Sequence, residues 1–163
     1  LLAADRPAAT VAASAPVQEE INHAGGYTTA FQFAPQAAII VDVTHATDFP
    51  NSDKKLRGEA KLGGGPALAR GSVNSPVVVD MLVEAAAREK IPYTMKAHPD
   101  RSATDADVMH YSRMGVACAV VSIPNRYMHS PNEMIQMDDV QHAARLIAAF
   151  ARMVTAESDF IPR

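Results

Sequence analysis

The apolar run AAIIVDVTH, residues 37–45, is the segment that most constrains how this chain can fold. Apolar side chains occupy both odd and even positions up to Asp42, which is the pattern of a strand buried on both faces. The run VACAVVSIP, residues 116–124, has the same character. Such strands belong to sheets that are covered by helices on both sides, so an α/β fold is predicted.

Helical and extended patterns alternate along the rest of the chain. Helices are predicted at 26–34, 75–90, 104–115 and 137–155, and further strands at 9–18 and 91–98. The polar, glycine-rich stretch 48–74 is predicted to be a long loop with at most a short strand in it. This order predicts one α/β domain with three αβα layers around a largely parallel, mixed sheet.

Composition excludes several classes of function. A chain of 163 residues with 48% hydrophobic and 20% charged residues can bury one substantial core. The net charge of −3 gives no electrostatic reason to expect a nucleic acid partner. No apolar segment approaches the roughly 20 residues of a membrane helix. The single cysteine, Cys118, lies in an apolar run, which indicates a buried thiol and a reducing, cytoplasmic location.

The first residues, LLAADRPAATVAASAPV, are rich in alanine but are not expected to form a secretion signal. They have no basic leading region, and Asp5 and Arg6 interrupt the apolar residues. The chain also begins with leucine. We expect it to be a portion of a longer protein.

Three polar groups follow predicted strands, where function gathers in α/β sheets. They are Gln18 to Glu20, then Asp42 with His45 and Asp48, and then Arg126 to His129. His45 and Asp48 are candidates for hydrogen-bond partners of a metal ligand at Asp42.

The adjacent acids Glu19 and Glu20 have two interpretations. On extended backbone they would point in opposite directions, so that one could bind a metal while the other acts as a general base. A solvated surface pair is the commoner fate of such a dipeptide.

Asp42 and His129 also have two interpretations each. Burying the Asp42 carboxylate without a partner would cost several kcal/mol, so it either protonates or faces a cation or water. A solvent-facing turn at the end of the strand is an equally weighted alternative. His129 offers the imidazole that zinc and cobalt accept, although a histidine in a turn is usually structural or exposed. The wide spacing of these residues favours an enzyme site over a structural zinc site.

The glycine-rich stretch GGGPALARG, which includes Gly64, lacks the order of a phosphate loop or a dinucleotide fold. It is predicted to line a substrate site, with a flexible connection as the alternative. Thr104 is a candidate helix cap and precedes Asp105.

The motifs occur in a recognisable order, with a closing amphipathic helix: VQEE, IIVDVTHATD, KLGGGP, ATDA and SIPNRYMHSPNEM. This order resembles the tetrahedral aminopeptidases, a family of glutamyl-aminopeptidase-like dinuclear metallopeptidases of which some members are labelled cellulase or endoglucanase. The resemblance extends from about Val17 to the last helix. It implies a phosphorylase/peptidase-like fold and removal of the N-terminal residue of short peptides.

The resemblance also implies roles for individual residues. Glu19 matches the catalytic base, which takes a proton from a bridging water. Glu20 matches a ligand of one metal ion, Asp42 a ligand of the other, and His129 a further ligand. The two divalent ions are expected to be zinc, with cobalt or manganese as alternatives.

Five further residues are expected in or near the substrate pocket. Arg126 and Tyr127 would support the turn of His129 or form the pocket wall. The others are Gly64, Thr104 and Asp105.

The sequence departs from the family pattern in two respects. Asn22 and His23 stand where the family usually has a glycine and then a basic residue. The family's early histidine, its bridging aspartate and its inserted oligomerisation domain have no counterpart here. Residues 1–163 are therefore predicted to be the C-terminal portion of a catalytic domain, inactive alone, whose full-length form assembles as a homo-oligomer, a tetrahedral dodecamer. The rival hypotheses are a glycoside hydrolase and an inactive assembly module.

Overall fold

The computed structural model describes residues 1–162. The helices are α1 (Glu19–Asn22), α2 (Ala24–Phe33), α3 (Lys54–Arg57), α4 (Pro76–Glu89), α5 (Ala106–Met109) and α6 (Met137–Met153). The strands are β1 (Ala37–His45), β2 (Ala67–Arg70), β3 (Thr94–Ala97), β4 (Ala117–Arg126) and β5 (Met134–Ile135).

The sheet is built on the parallel pairing of β1 with β4, which runs from Ala37 opposite Ala117 to His45 opposite Asn125. The strand order is β1-β4-β2-β3, and β5 pairs with the end of β4. Strands β2 and β3 are also parallel, whereas β2 and β5 each run antiparallel to β4. The predicted mixed, largely parallel sheet is confirmed, and β1 and β4 end at the same edge.

Helices cover both faces of the sheet. Successive side chains of β4 point to opposite sides, and both sets are apolar and packed against helices. Ala119 and Val121 face the core made with α4 and α6, while Cys118 and Val120 face the core made with α2 and α5. The three predicted αβα layers are therefore confirmed. Cys118 is fully buried, as predicted, and burial raises the pKa of its thiol to about 12.

The strand predicted at residues 9–18 is wrong. This segment forms no strand, and residues 10–15 are exposed. Its alternating small residues are mostly alanine and serine, which offer too little apolar area to stabilise a sheet face. Pro16 also removes one of the backbone donors that a ladder would need.

The helix predicted at 104–115 is much shorter, because only Ala106–Met109 is α-helical. Beyond it the amide of Ser112 donates to the Met109 carbonyl and the amide of Gly115 to the Ser112 carbonyl, so the chain continues in tight turns. The other predicted helices and strands are confirmed within a few residues, including Pro76 at the start of α4 and the short strand inside 48–74. Within residues 1–162 no helix combines the length and the apolarity that crossing a bilayer requires.

The glycine loop, residues 61–66, is tied to the first turn of α6. The amides of Gly63 and Gly65 donate to the two carboxylate oxygens of Asp139, each over 2.8 Å. Asp139 is fully buried. A side chain at Gly65 would place its Cβ 1.9 Å from the Pro92 carbonyl oxygen, so this position requires glycine. Two hydrogen bonds and one close backbone contact therefore hold this loop against α6 and the segment before β3.

Replacement of Asp139 by Asn should lower the free energy of unfolding by about 1–3 kcal/mol. One amide oxygen can accept only one of the two N–H groups, and the amide nitrogen would face the other. Urea denaturation measures the change. The control is Asp138→Asn, an exposed residue in the same helical turn, which loses a similar interaction with the helix dipole. Equal losses in the two variants would contradict this account.

Candidate active site

The candidate site lies where β1 and β4 end, beside the helical turn α1. Two side chains from distant parts of the chain meet there: Nε2 of His129 lies 3.6 Å from Oε2 of Glu20. Both side chains are exposed, at 69% for His129 and 75% for Glu20. An imidazole and a carboxylate at this separation form a pair of metal-donor types at a solvent-accessible edge.

The turn that presents His129 is held by Glu133. One carboxylate oxygen of Glu133 accepts from the backbone amide of His129 and the other from Nδ2 of Asn125, each over 2.6 Å. These hydrogen bonds, first that of Asn125, lower the pKa of Glu133. Tyr127 and His129 both adopt left-handed backbone conformations, with φ of 63° and 62°. These hydrogen bonds and backbone conformations therefore fix the turn that carries His129 beyond the end of the sheet.

Asp42 lies two thirds of the way along β1, opposite Ser122 of β4, and is half-buried. Its Oδ1 accepts from the amide of Val43 over 2.7 Å. Burial is the main cause that raises the pKa of Asp42; Glu20 raises it further, and His23 and His129 oppose the rise. Asp42 therefore shares an electrostatic environment with both members of the Glu20–His129 pair.

The pair Glu19–Glu20 does not follow a strand, and the predicted extended backbone at this position is wrong. Both residues lie in α1, where consecutive side chains diverge by about 100° rather than 180°. The divergence still separates them: Glu20 approaches His129, and Oε1 of Glu19 lies 3.4 Å from Nδ1 of His23. Burial first, and then the nearby Asp42, raise the pKa of Glu19.

Asp105, the residue directly before α5, also lies beside His23. It is buried, and its Oδ1 lies 3.9 Å from Nδ1 of His23. Thr104 forms local hydrogen bonds: its Oγ1 accepts from the amide of Ala106, the first residue of α5, and lies 2.9 Å from Oγ of Ser102. The N-cap position itself is occupied by Asp105 rather than by Thr104, which was the predicted cap. Gly64 lies in the glycine loop, where an added Cβ would be 3.1 Å from the Lys61 carbonyl oxygen.

Arg126 supports the loop that follows β1. Its Nε and Nη2 donate to the two oxygens of Asp48, each over 2.8 Å, and Oδ2 of Asp48 also accepts from the amide of Leu62. Asp48 thus pairs with Arg126 rather than with Asp42, which was its predicted partner. The Tyr127 ring lies 5.2 Å from the ring of Phe49, on the same loop.

The donor types fit a borderline divalent metal, because carboxylate and imidazole groups are the ligands that such ions accept. The described geometry supplies the Glu20–His129 pair with Asp42 nearby. Within residues 1–162, however, no three His, Cys, Asp or Glu side chains converge closely enough to hold an ion. The described residues therefore bring one carboxylate and one imidazole into proximity, with a second carboxylate on the neighbouring strand.

Sequence reasoning did not find the supporting roles of His23, Glu133 and Asp139. The partners of Asp139 lie 74 and 76 residues away, so no local pattern reveals them. The run INHAGG did mark His23 as unusual, and Glu133 follows His129 by four residues. Those were the available signals.

Comparison with known proteins supports one family. A family model described as M42 glutamyl aminopeptidase matches residues 2–146. The lysyl aminopeptidase of Pyrococcus furiosus is 38% identical over 148 residues, which cover 91% of this chain and 42% of that protein. The chain spans about 40% of the length of the curated relatives it matches.

Solved structures give the same result. An aminopeptidase from the archaeon Desulfurococcus kamchatkensis superposes with a TM-score of 0.78 at 34% identity, covering 86% of this chain and 40% of that one. A TET aminopeptidase from a marine sediment archaeon, Thaumarchaeota archaeon SCGC AB-539-E09, superposes with a TM-score of 0.81 at 27% identity, covering 88% and 40%. The sheet and its covering helices are thus those of known aminopeptidases.

Replacement of Asp48 by Asn should lower the free energy of unfolding by about 1–2 kcal/mol at pH 7. The hydrogen bonds from Arg126 lower the pKa of Asp48 in the folded protein. The stabilisation is therefore complete above the unfolded pKa of about 3.9 and is lost as the pH falls through the folded value. Urea denaturation from pH 7 to pH 2 should show the difference between wild type and variant shrinking at the acidic end.

The matched control is Asp80→Asn, which removes the exposed ion pair of Asp80 with Arg70. That pair should contribute less than about 1 kcal/mol. A difference between wild type and Asp48→Asn that stays constant down to pH 2 would contradict the assigned role of Asp48.

Proposed function

Because the chain belongs to the M42 glutamyl aminopeptidase family, we propose that it contributes the site of a metal-dependent aminopeptidase that removes the N-terminal residue of short peptides. The observation that supports this proposal most is the approach of Glu20 to His129, beside Glu19 and Asp42, at the end of two parallel strands. Acids and a histidine from three separate segments lie near one edge of the sheet, the edge at which α/β enzymes place their chemistry.

Glu20 and His129 would hold one divalent ion, and Asp42 would hold a second. Such ions, zinc first and cobalt or manganese as alternatives, would supply Lewis-acid polarisation of the scissile carbonyl and make a water more acidic. Asn125, Glu133 and the turn they hold would fix the direction from which the His129 imidazole approaches.

Glu19 would act as the general base. Consecutive side chains of α1 diverge by about 100°, so the Glu19 carboxylate can accept a proton while Glu20 binds an ion. Burial and the negative charge of Asp42 raise its pKa, and a carboxylate with a raised pKa is a stronger base for the attacking water. The same carboxyl group could then return the proton to the leaving amine.

The rest of the site would come from an upstream histidine and a bridging aspartate, as the sequence resemblance implies. Two observations support this part of the proposal: the chain spans about 40% of its relatives' length, and residues 1–162 hold no three-ligand group. We further propose a cytoplasmic homo-oligomer, a tetrahedral dodecamer in the full-length form. Arg126 would support the His129 turn, whereas Tyr127, Gly64, Thr104 and Asp105 would line or support the substrate pocket.

Replacement of Glu19 by Gln in the intact protein should lower kcat for short peptides by about 10²–10⁴-fold, because the amide cannot accept the proton. Peptide hydrolysis with added zinc or cobalt measures the effect, and metal content should remain that of the wild type. Glu84→Gln, an exposed change on α4, is the control and should leave turnover unchanged.

Unchanged peptide turnover in Glu19→Gln would refute the role of Glu19. Cellulose hydrolysis that survives chelation would support a glycoside hydrolase, which uses two carboxyl groups and no metal. An intact protein that binds no metal and cleaves no peptide would support an inactive assembly module.

A further inference from the structure

We propose that His23 is a positioning residue, which fixes the carboxylate of Glu19 by donating from Nδ1 and separates it from Asp105. This inference rests on the proposed function, in which Glu19 is the general base. His23 belongs to no ligand set predicted from the sequence.

The distances place His23 between two acids. Its Nδ1 lies 3.4 Å from Oε1 of Glu19 and 3.9 Å from Oδ1 of Asp105. The three side chains are largely enclosed, with exposed fractions of 17% for His23, 28% for Glu19 and 10% for Asp105. An imidazole at this place can interact with either carboxylate.

The shorter distance selects Glu19 as the acceptor of the His23 Nδ1 proton. Nδ1 of His23 and Oδ1 of Asp105 are buried, and neither has a hydrogen-bond partner within residues 1–162. Leaving such groups unpaired costs about 1–3 kcal/mol each, so a small rotation that completes a hydrogen bond is favourable. One Nδ1–H group can form only one straight hydrogen bond, and the oxygen of Glu19 is the nearer acceptor.

The backbone builds this arrangement in two ways. His23 has φ of 57° and ψ of 22°, a left-handed conformation at the junction where α1 ends and α2 begins. A non-glycine residue in the left-handed region has a higher conformational free energy than one in the right-handed region. A linker with no other role would not require a histidine at this position. On the other side, a Cβ at Gly26 would lie 2.5 Å from Oδ1 of Asp105, so the lack of a side chain at Gly26 allows Asp105 to approach.

The negative charges near Glu19 explain why the position of His23 matters for catalysis. Glu19, Asp42 and Asp105 lie close together: burial raises the pKa of Glu19 most, and the charges of Asp42, Glu20 and Asp105 raise it further. His23 acts in the opposite direction on the pKa of all three. Without the Nδ1–H donor, the Glu19 carboxylate would lose the group that orients it for accepting a proton from the attacking water. A misplaced base lowers kcat far more than it lowers substrate binding.

The first test compares His23→Asn with His23→Ala in the intact protein, with zinc or cobalt added. Asparagine tolerates the left-handed conformation and retains an N–H donor, whereas alanine provides no donor. We expect kcat for a short peptide to fall by about 10–100-fold in His23→Ala, with KM within about twofold, and to stay within about fivefold of wild type in His23→Asn. Thermal unfolding should show that both variants are folded at the assay temperature. Equal kcat values for the two variants would overturn the inference.

The second test needs no activity. Long-range ¹H–¹⁵N NMR spectra of the ¹⁵N-labelled intact protein at about pH 8 report which ring nitrogen of His23 is protonated. We expect a proton on Nδ1 and a changed Nδ1 signal in Glu19→Gln, because the acceptor is altered. A proton on Nε2, or an Nδ1 signal that Glu19→Gln leaves unchanged, would overturn the inference.

The two tests separate this inference from the proposed function. If Glu19→Gln retains full peptide turnover, the proposed function fails, while the NMR spectra still show whether His23 contacts Glu19. If Glu19→Gln abolishes turnover and His23→Ala does not lower kcat, the proposed function stands and the positioning role is lost.

Discussion

The parallel pairing of β1 with β4 determines where each group of the candidate site can stand. Asp42 is fixed opposite Ser122, and His45 opposite Asn125, so both strands deliver polar residues to one edge. Beyond that edge β4 continues into the turn of His129, and Asn125 anchors the turn through Glu133. A slip of one residue in this register would turn Asp42 toward the opposite face of the sheet.

Crowding of like charge is the second constraint. Glu19, Glu20, Asp42 and Asp105 come from three segments, and after burial the charges of the other three raise the pKa of Glu19 further. Carboxylates that lie this close remain ionised together only if cations or hydrogen-bond donors compensate them. His23 and His129 are the compensating groups in the described residues, and divalent cations would compensate further. The same crowding that is unfavourable for folding is therefore what an ion-binding site requires.

The sequence predicted the layered α/β fold because long apolar runs report burial on both faces, and β1 and β4 are such runs. It singled out Asp42 for a related reason, since a carboxylate in that setting needs a partner. Prediction failed at residues 9–18, where small residues alternate as in a strand but offer little area to bury. It failed also for the backbone of Glu19 and Glu20, because a four-residue helix is too short to show periodicity.

The supporting contacts were beyond the reach of pattern reasoning for a different reason. Asp139 and the glycine loop are separated by more than 70 residues, and Arg126 and Asp48 by 78. Such pairs follow from the tertiary structure alone. The convergence of Glu20 with His129 is also long-range. It was expected because both residues follow predicted strands and because the motif order resembles that of a known family.

We propose that Glu20, Asp42 and His129 bind metal, and calorimetric titration of the metal-free intact protein with zinc or cobalt measures this binding. We expect saturable binding that weakens by at least about tenfold in Glu20→Gln and in His129→Ala, because each variant would remove a direct ligand. Binding that is unchanged in both variants, or absent from the intact wild-type protein, would contradict it.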